Sequence, residues 1–433
     1  MIRIIFALTV SVLFAGNVPA AGSTDPTPIL NLADAEKLAL QNHPQIAAAN
    51  YRALAAQEVV KQTRAGFFPT LNAYGNAVGA ENEDARIMAG GINNPSIYDR
   101  VAGGLAVNLL LFDFGHTANL TASSKFQAQA ERQNANATRE NVLLQVDVNY
   151  FSTLQAQAVQ RVAQQTVDTR QLLLDQVSVL ASNKLKSELD VSFARVAVQE
   201  SKLLLQKARN NAEDALASLS TALGYHEPRP LRLAQPAEPV FMATNDVSEL
   251  VETALAGRPE LLSLRHQHTA AQRFAKSQSE ARLPVVSAVG MIGDSPSHDS
   301  HLPDNYEVGS IQLSLPLFAG GLYLARQHEA ELKAQADKEL VRALENIIVR
   351  DVHIAWLNVN TALEQHRTTE QLVRNAGEAY ELAAARYKIG SSSIVELSQA
   401  QLSLTSAQIT DANARYNVLI QQARLHYEIG ALR

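Results

Sequence analysis

Two spacings of apolar residues follow one another along this chain, and they do so twice. Leu105, Val107, Leu109 and Leu111 alternate with Ala106, Asn108 and Leu110, the two-residue period of a strand with one apolar face. Ile311, Leu313, Leu315 and Leu317 alternate in the same way with Gln312, Ser314 and Pro316. Their expected partner strands, over 70–79 and 285–293, alternate less cleanly, and the Gly-, Asn- and Ser-rich stretches 80–98 and 294–305 read as loops. After each strand pair the period lengthens. Leu189, Phe193, Val196, Leu203, Ala208, Ala212, Ala215, Leu219 and Leu223 keep mostly three-and-four spacing, as on a packed helix. No Pro or Gly lies between Gly115 and Gly224, and only Gly377 and Gly390 interrupt the stretch from Gly321 to Gly430. Each stretch is expected to fold once, near 182–186 and near 388–393. A helix over 116–181 would be on the order of 100 Å long at about 1.5 Å per residue.

The second half repeats the first. A shift of 215 residues puts Pro44 on Pro259, Pro69 on Pro284 and Gly75 on Gly290. A shift of 206 puts Phe112 on Phe318, Gly115 on Gly321, Tyr150 on Trp356 and Gly224 on Gly430. A unit of about 200 residues is too long for a solenoid period, so the architecture itself is duplicated. The helical segment 31–64 breaks at Asn42-His43-Pro44, and its copy breaks at Gly257-Arg258-Pro259. The expected organisation is a signal peptide over 1–21 and a first repeat over 22–224, with strands near 66–80 and 99–113. A Pro-rich equatorial linker over 225–246 leads to a second repeat over 247–433, with strands near 283–293 and 306–318.

Composition narrows the setting. Arg3, the apolar run 4–15 and Val18-Pro19-Ala20 read as a secretory signal. The chain has no cysteine, so packing alone stabilises it. A net charge of −6 without basic clusters argues against nucleic acid as a partner. No later apolar run reaches the ~18 residues of a membrane-spanning helix. Four strands cannot close a membrane barrel alone, since single-chain barrels begin at about eight. Two readings stay open at this point. Several copies pool their strands in one barrel, or the chain is a soluble periplasmic coiled-coil scaffold with a small capping sheet.

The duplicated plan, the two Pro breaks and the turns Phe112–Gly115 and Phe318–Gly321 together resemble the TolC family of outer-membrane efflux proteins. So does the segment from Ala385 to Gln401, followed by Ala412-Asn-Ala-Arg-Tyr-Asn417. The resemblance covers essentially the whole mature chain. It implies a mixed, mainly α fold. The duplicated long antiparallel helices would form a periplasmic α-barrel, and four strands per chain would enter a homotrimeric twelve-stranded transmembrane β-barrel set in outer-membrane lipid. It implies a passive exit duct serving an inner-membrane pump and a periplasmic adaptor protein. A duct for type I protein secretion would look the same in sequence.

No enzyme, cofactor or metal site emerges. His266 and His268 splay apart on a helix. His298 and His301 sit beside Asp299 in a polar stretch without a compelling third ligand. The two expected hairpin turns hold the candidates. The shift of 206 puts Lys184 on Gly390, Ser187 on Ser393 and Asp190 on Glu396. In the family these turns form the narrow periplasmic end of the tunnel, so Asp190 and Glu396 are aperture candidates. Clustered carboxylates raise one another's pKa and attract cations. The alternative is that each is a solvated carboxylate favoured by a helix N-terminus. Lys184, Ser187, Gly390, Ser391, Ser392 and Ser393 are candidates for the adaptor-docking tip. Some relatives carry an acid at Gln399 and a base at Ser392, which this chain lacks.

Overall fold

The computed structural model describes residues 29–78, 100–236, 246–297 and 304–432. The expected signal segment, His298 and His301 lie outside the described residues. Strand β1 (Ile29–Leu30) leads into helices α1 (Leu32–Asn42) and α2 (Pro44–Arg64), then strands β2 (Thr70–Val78) and β3 (Arg100–Phe112). Helix α3 (His116–Ser182) and helix α4 (Glu188–Ala222) form the first long hairpin. After β4 (Arg232–Leu233) the plan repeats as α5 (Val247–Gly257), α6 (Pro259–Glu280), β5 (Val285–Ser297), β6 (Asn305–Ser314), α7 (Leu322–Lys388) and α8 (Ile394–Glu428). The duplication is visible in lengths: α3 and α7 have 67 residues each, α4 and α8 have 35 each.

The larger sheet runs in the order β2-β3-β5-β6, antiparallel throughout, so β2 and β6 are its edges. Strands of 9, 13, 13 and 10 residues are long enough to cross a bilayer, which takes about 9–11. Register sorts the side chains into two faces. One carries Leu71, Leu105, Val107, Leu109, Ile292, Ile311 and Leu313; the other carries Thr70, Asn72, Asn108, Ser287, Ser310 and Gln312. Strand β5 continues past Gly293 because Asp294 still pairs with Asn305. Strand β6 stops at Ser314, ahead of Pro316, which has no N–H to offer the ladder. Exposed Phe67, Phe68, Phe112, Phe114 and Phe318 gather where the sheet meets the helices, as in the aromatic girdle of a membrane barrel.

Helices α3 and α7 run unbroken from the sheet to the far tip. The positions beside them are each shared by two helices. Helix α4 ends at Gly224, whose added Cβ would lie 2.9 Å from the Asn42 carbonyl, so α4 butts against the start of α2. Gly430 ends α8 against Gly257 and Arg258 in the same way. Both glycines have positive φ, +84° and +69°, where a side chain would be strained. Each chain thus supplies four helical positions at every level.

The main core lies at this equator. Val142, Val146, Tyr150 and Leu154 of α3 meet Leu219 and Leu223 of the first hairpin, Ala35 and Ala39 of α1, and Tyr416 of α8. The Tyr150 hydroxyl reaches the Leu30 carbonyl at 3.1 Å and the Ala234 carbonyl at 2.8 Å, clasping the parallel β1–β4 pair. Nearer the tip the buried face of α4 is Val191, Ala194, Val198, Ser201 and Leu205, not the Leu189–Phe193–Val196–Leu203 stripe that the spacing singled out. That stripe is exposed. The small residues take the close contact with α3, and the larger ones are left on the far side.

One core carboxyl predicts a pH effect. Asp147 is 4% exposed, and burial, with the neighbouring Glu36 carboxylate acting the same way, pushes its pKa up to about 8. The folded chain holds this proton and the unfolded chain, near the ordinary 3.8, releases it. The contribution is full below about pH 4 and is lost as pH rises through about 8. Asp147→Asn should therefore reduce the fall in thermal midpoint between pH 5 and pH 8.5, measured by circular dichroism.

Candidate functional site

The hairpin turns lie at the opposite end of the long helices from the sheet. Both reverse the chain by the same means. Lys184 and Gly390 occupy the left-handed region, with φ of +59° and +76°, and they are the pair that the shift of 206 superposes. The Leu185 amide then donates to the Leu180 carbonyl, and the Ser391 amide to the Arg386 carbonyl, at 2.9 Å each. These bonds close the ends of α3 and α7. Glycine adopts this conformation without penalty, so the second turn is the less strained.

The next helices start on serine caps. The Ser187 hydroxyl accepts from the Asp190 amide at 3.2 Å, and Asp190 Oδ2 accepts from the Ser187 amide at 3.1 Å, a reciprocal capping box. Ser393 accepts from the Glu396 amide at 3.2 Å. Glu396 does not fold back on its cap. Its Oε1 takes a hydrogen bond from Arg386 Nη1 at 3.0 Å, and Arg386 Nη2 also reaches the Ser391 carbonyl at 3.4 Å. The two equivalent carboxylates thus differ: Asp190 is occupied locally, and Glu396 is paired with a cation on the preceding helix.

The two turns meet in a small core. Val191 of α4 packs with Val177, Tyr387, Ile394 and Leu397. Lys186 places its ammonium 4.1 Å above the Tyr387 ring, which joins the first hairpin to the second. Burial raises the Tyr387 pKa, and the Asp190 carboxylate pushes the same way. The Tyr387 and Ser392 hydroxyls are closed off from solvent with no hydrogen-bond partner among the described residues. Beside this core, α3 and α7 leave a groove of about 860 Å³ lined by Leu172, Val177, Leu180, Tyr380, Tyr387 and Lys186. Lys184, Ser187, Gly390, Ser391 and Ser393 are exposed along its end of the molecule, and Ser392 is half-buried.

Sequence reasoning missed Arg386, Tyr387 and Lys186. The first two stand inside the segment 385–401 that carried the resemblance. Among the described residues no cluster of His, Asp and Glu could hold a metal ion, and no helix is long and apolar enough to cross a membrane.

The family model for outer membrane efflux proteins matches residues 36–225 and 250–431. Outer membrane protein TolC of Vibrio cholerae is 24% identical over 421 residues, which cover 93% of this chain and 91% of that protein. The alkaline protease secretion protein AprF of Pseudomonas aeruginosa is also 24% identical, over 93% of this chain and 85% of its own. The crystal structure of CusC, which forms a transmembrane channel, superposes with a TM-score of 0.81 at 19% identity and covers 95% of each chain. An open four-stranded sheet with one apolar face, girdled by phenylalanines and borne on duplicated long hairpins, agrees with that match throughout. The chain belongs to the outer membrane efflux protein family, with its sheet in the outer membrane and its helices extending into the periplasm.

Proposed function

We propose that three copies of this chain join into one passive duct. It would lead from the periplasm through the outer membrane and serve a tripartite efflux system. The observation that carries this reading is a membrane-facing sheet of four strands with both edges, β2 and β6, left unpaired among the described residues. Lipid offers no hydrogen bonds to such edges, so they must pair with other copies. Three copies give twelve strands and, with four positions per chain, a tunnel wall of twelve helices. The duct itself performs no chemistry and consumes no energy. An inner-membrane pump would supply drive, and a periplasmic adaptor would seat its apolar surface in the tip groove beside Lys184, Ser187, Gly390 and Ser391–Ser393. The name of AprF favours a second reading, a duct for secreted protein. Identifying the pump and adaptor that co-purify separates the two.

The first test is molar mass in mild detergent, corrected for bound detergent. A trimer is expected; a monomer, or release by osmotic shock, overturns the proposal.

Asp190 and Glu396 are the proposed determinants of charge at the aperture. The Arg386 partner sharpens the expectation, because neutralising Glu396 also leaves a cation unpaired. Asp190→Asn with Glu396→Gln should lower the cation-to-anion permeability ratio of the reconstituted channel and change its conductance. If neither quantity moves, the carboxylates serve only as helix-start residues.

A further inference from the structure

One cross-strand row of the sheet has a composition found in no neighbouring row of the same face. Tyr74 of β2 stands opposite Gly104 of β3, Gly104 opposite Gly293 of β5, and Gly293 opposite Tyr306 of β6. The outer strands supply the aromatics and the inner strands supply the glycines. Above those glycines the Tyr74 and Tyr306 hydroxyls hydrogen-bond to each other.

The geometry explains the residue types. Neighbouring strands are about 4.8 Å apart, so β2 and β6 are separated by roughly 14 Å. Two tyrosines standing upright on those strands could not touch. Both must lie down across the inner strands, and only glycine leaves the floor clear. A Cβ at Gly104 would run into the Ile292 carbonyl and the Gly293 Cα of β5 before coming 3.0 Å from the Tyr74 hydroxyl, and one at Gly293 would run into the Tyr306 hydroxyl and ring. The next two rows of this face toward the start of β2, Asn72–Ala106–Met291–Val308 and Thr70–Asn108–Val289–Ser310, carry side chains on both inner strands and leave no such floor.

We propose that Tyr74 and Tyr306 tie the two open edges of each sheet together across the pore side, fixing the sheet's arc and the pore's width at that level. The inference rests on the trimeric barrel proposed above. The tyrosines stand on the face that carries Thr70, Asn72, Asn108, Ser310 and Gln312, the face a barrel turns toward its water-filled interior. A chord drawn between edge strands makes its own face the concave one. The edges it joins are those that must meet neighbouring copies, so the tie presets the angle at which three sheets close. One hydroxyl donates to the other and the rings lie across the glycines, so the belt of six rings presents ring faces to cargo, with one O–H of each pair left to donate. Tyr74 and Tyr306 are therefore positioning residues for the pore.

The test uses the full-length protein in detergent and in planar bilayers, with Tyr74→Phe, Tyr306→Phe, both together, and Tyr74→Ala with Tyr306→Ala. Phenylalanine keeps the ring and removes the hydroxyl. Either single change breaks the same bond, so the double phenylalanine variant should lower the thermal midpoint no further than one single variant does. The alanine pair should admit larger neutral polymers from the outer side than the unaltered channel. Additive single effects, or an unchanged polymer cut-off in the alanine pair, overturn the tie. The molar mass of the unaltered protein reads the barrel separately. The non-additivity is expected in any oligomeric state, so a monomer with a non-additive cycle overturns the barrel alone.

Discussion

A chain carrying Leu203→Asp and Leu372→Asp should run as a folded monomer in mild detergent, where the unaltered chain is expected to run as the proposed trimer. Within one chain the tip helices lie in the order α4-α3-α8-α7, leaving α4 and α7 at the edges. The in-chain junction between the repeats is α3 against α8, where Thr166 meets Thr405 and Gln155 meets Asn413. The duplication makes this junction a template for the seam between copies, α7 against a neighbouring copy's α4. The shift of 206 carries Thr166 onto Leu372, which is 48% exposed, and Leu203 onto Ile409, which is half-buried in the second hairpin. Leu203 itself is 67% exposed. Fully covering each leucine is worth about 1.5–3 kcal/mol. An aspartate there brings instead an unpaired charge whose burial costs several kcal/mol. In the proposed trimer three seams would repeat the effect. Both positions face solvent in the single chain, so far-ultraviolet circular dichroism should be unchanged. Leu203→Asp with Leu372→Arg should recover trimer. A stable trimer from the double aspartate chain would place the seam on another face.

Arg258→Ala should cost about 3–5 kcal/mol of stability, the usual penalty for removing one partner of a buried ion pair. Arg258 is 8% exposed and fills the break between α5 and α6. It donates to Glu428 at 2.6 Å, reaches Glu260 at 3.5 Å and lies 5.5 Å from the Tyr427 ring centre. Burial pushes the Glu428 pKa up, aided by Asp351 and Glu260, and Arg258 alone opposes it. Without the guanidinium, Glu428 is left half-buried among carboxylates. It then favours its protonated form, and the folded state binds more protons than the unfolded state. The deficit should therefore shrink as pH falls toward the ordinary carboxylate range. Arg258→Met separates charge from packing, since it keeps much of the stem. Equal losses for methionine and alanine at pH 7.5, narrowing together at pH 4.5, would establish the ionic origin. A loss for alanine alone would show that only volume matters. Thermal midpoints at the two pH values decide.

The sequence was most legible where a short period decides everything. Strand β3 shows itself through Leu105, Val107 and Leu109, because alternation needs no knowledge of the partner. The long hairpins were legible from the absence of Pro and Gly, and their turns from Gly390 and the serines around it. The packing phase of α4 was not. This helix has two apolar faces, and spacing reports a stripe without saying what covers it. Val191, Ala194 and Val198 face α3 because small side chains allow close approach, while the bulkier Leu203 is left exposed for the proposed seam. At the tip, Ser187 and Ser393 could be read as caps from their offsets alone. Arg386 could not be matched to Glu396, because the turn between them had to be placed first. Tyr74 and Tyr306 stand 232 residues apart. Only the register of four strands brings them together.

The abutting ends at Gly224 and Gly430 have a mechanical consequence. Along α3 and α7 a continuous covalent backbone carries tension, bending and torsion from membrane to tip. Where α4 meets α2 and α8 meets α6, the chain does not cross the junction, and only packing holds the ends together. Such a column behaves like stacked masonry, firm under compression and weak in torsion. A twist applied to the lower segments has no covalent path across the equator and reaches the sheet only through α3, α7 and side-chain packing. In the proposed duct, half the helical columns of each copy would therefore pass less twist from the periplasmic end to the wall around the outer-membrane pore.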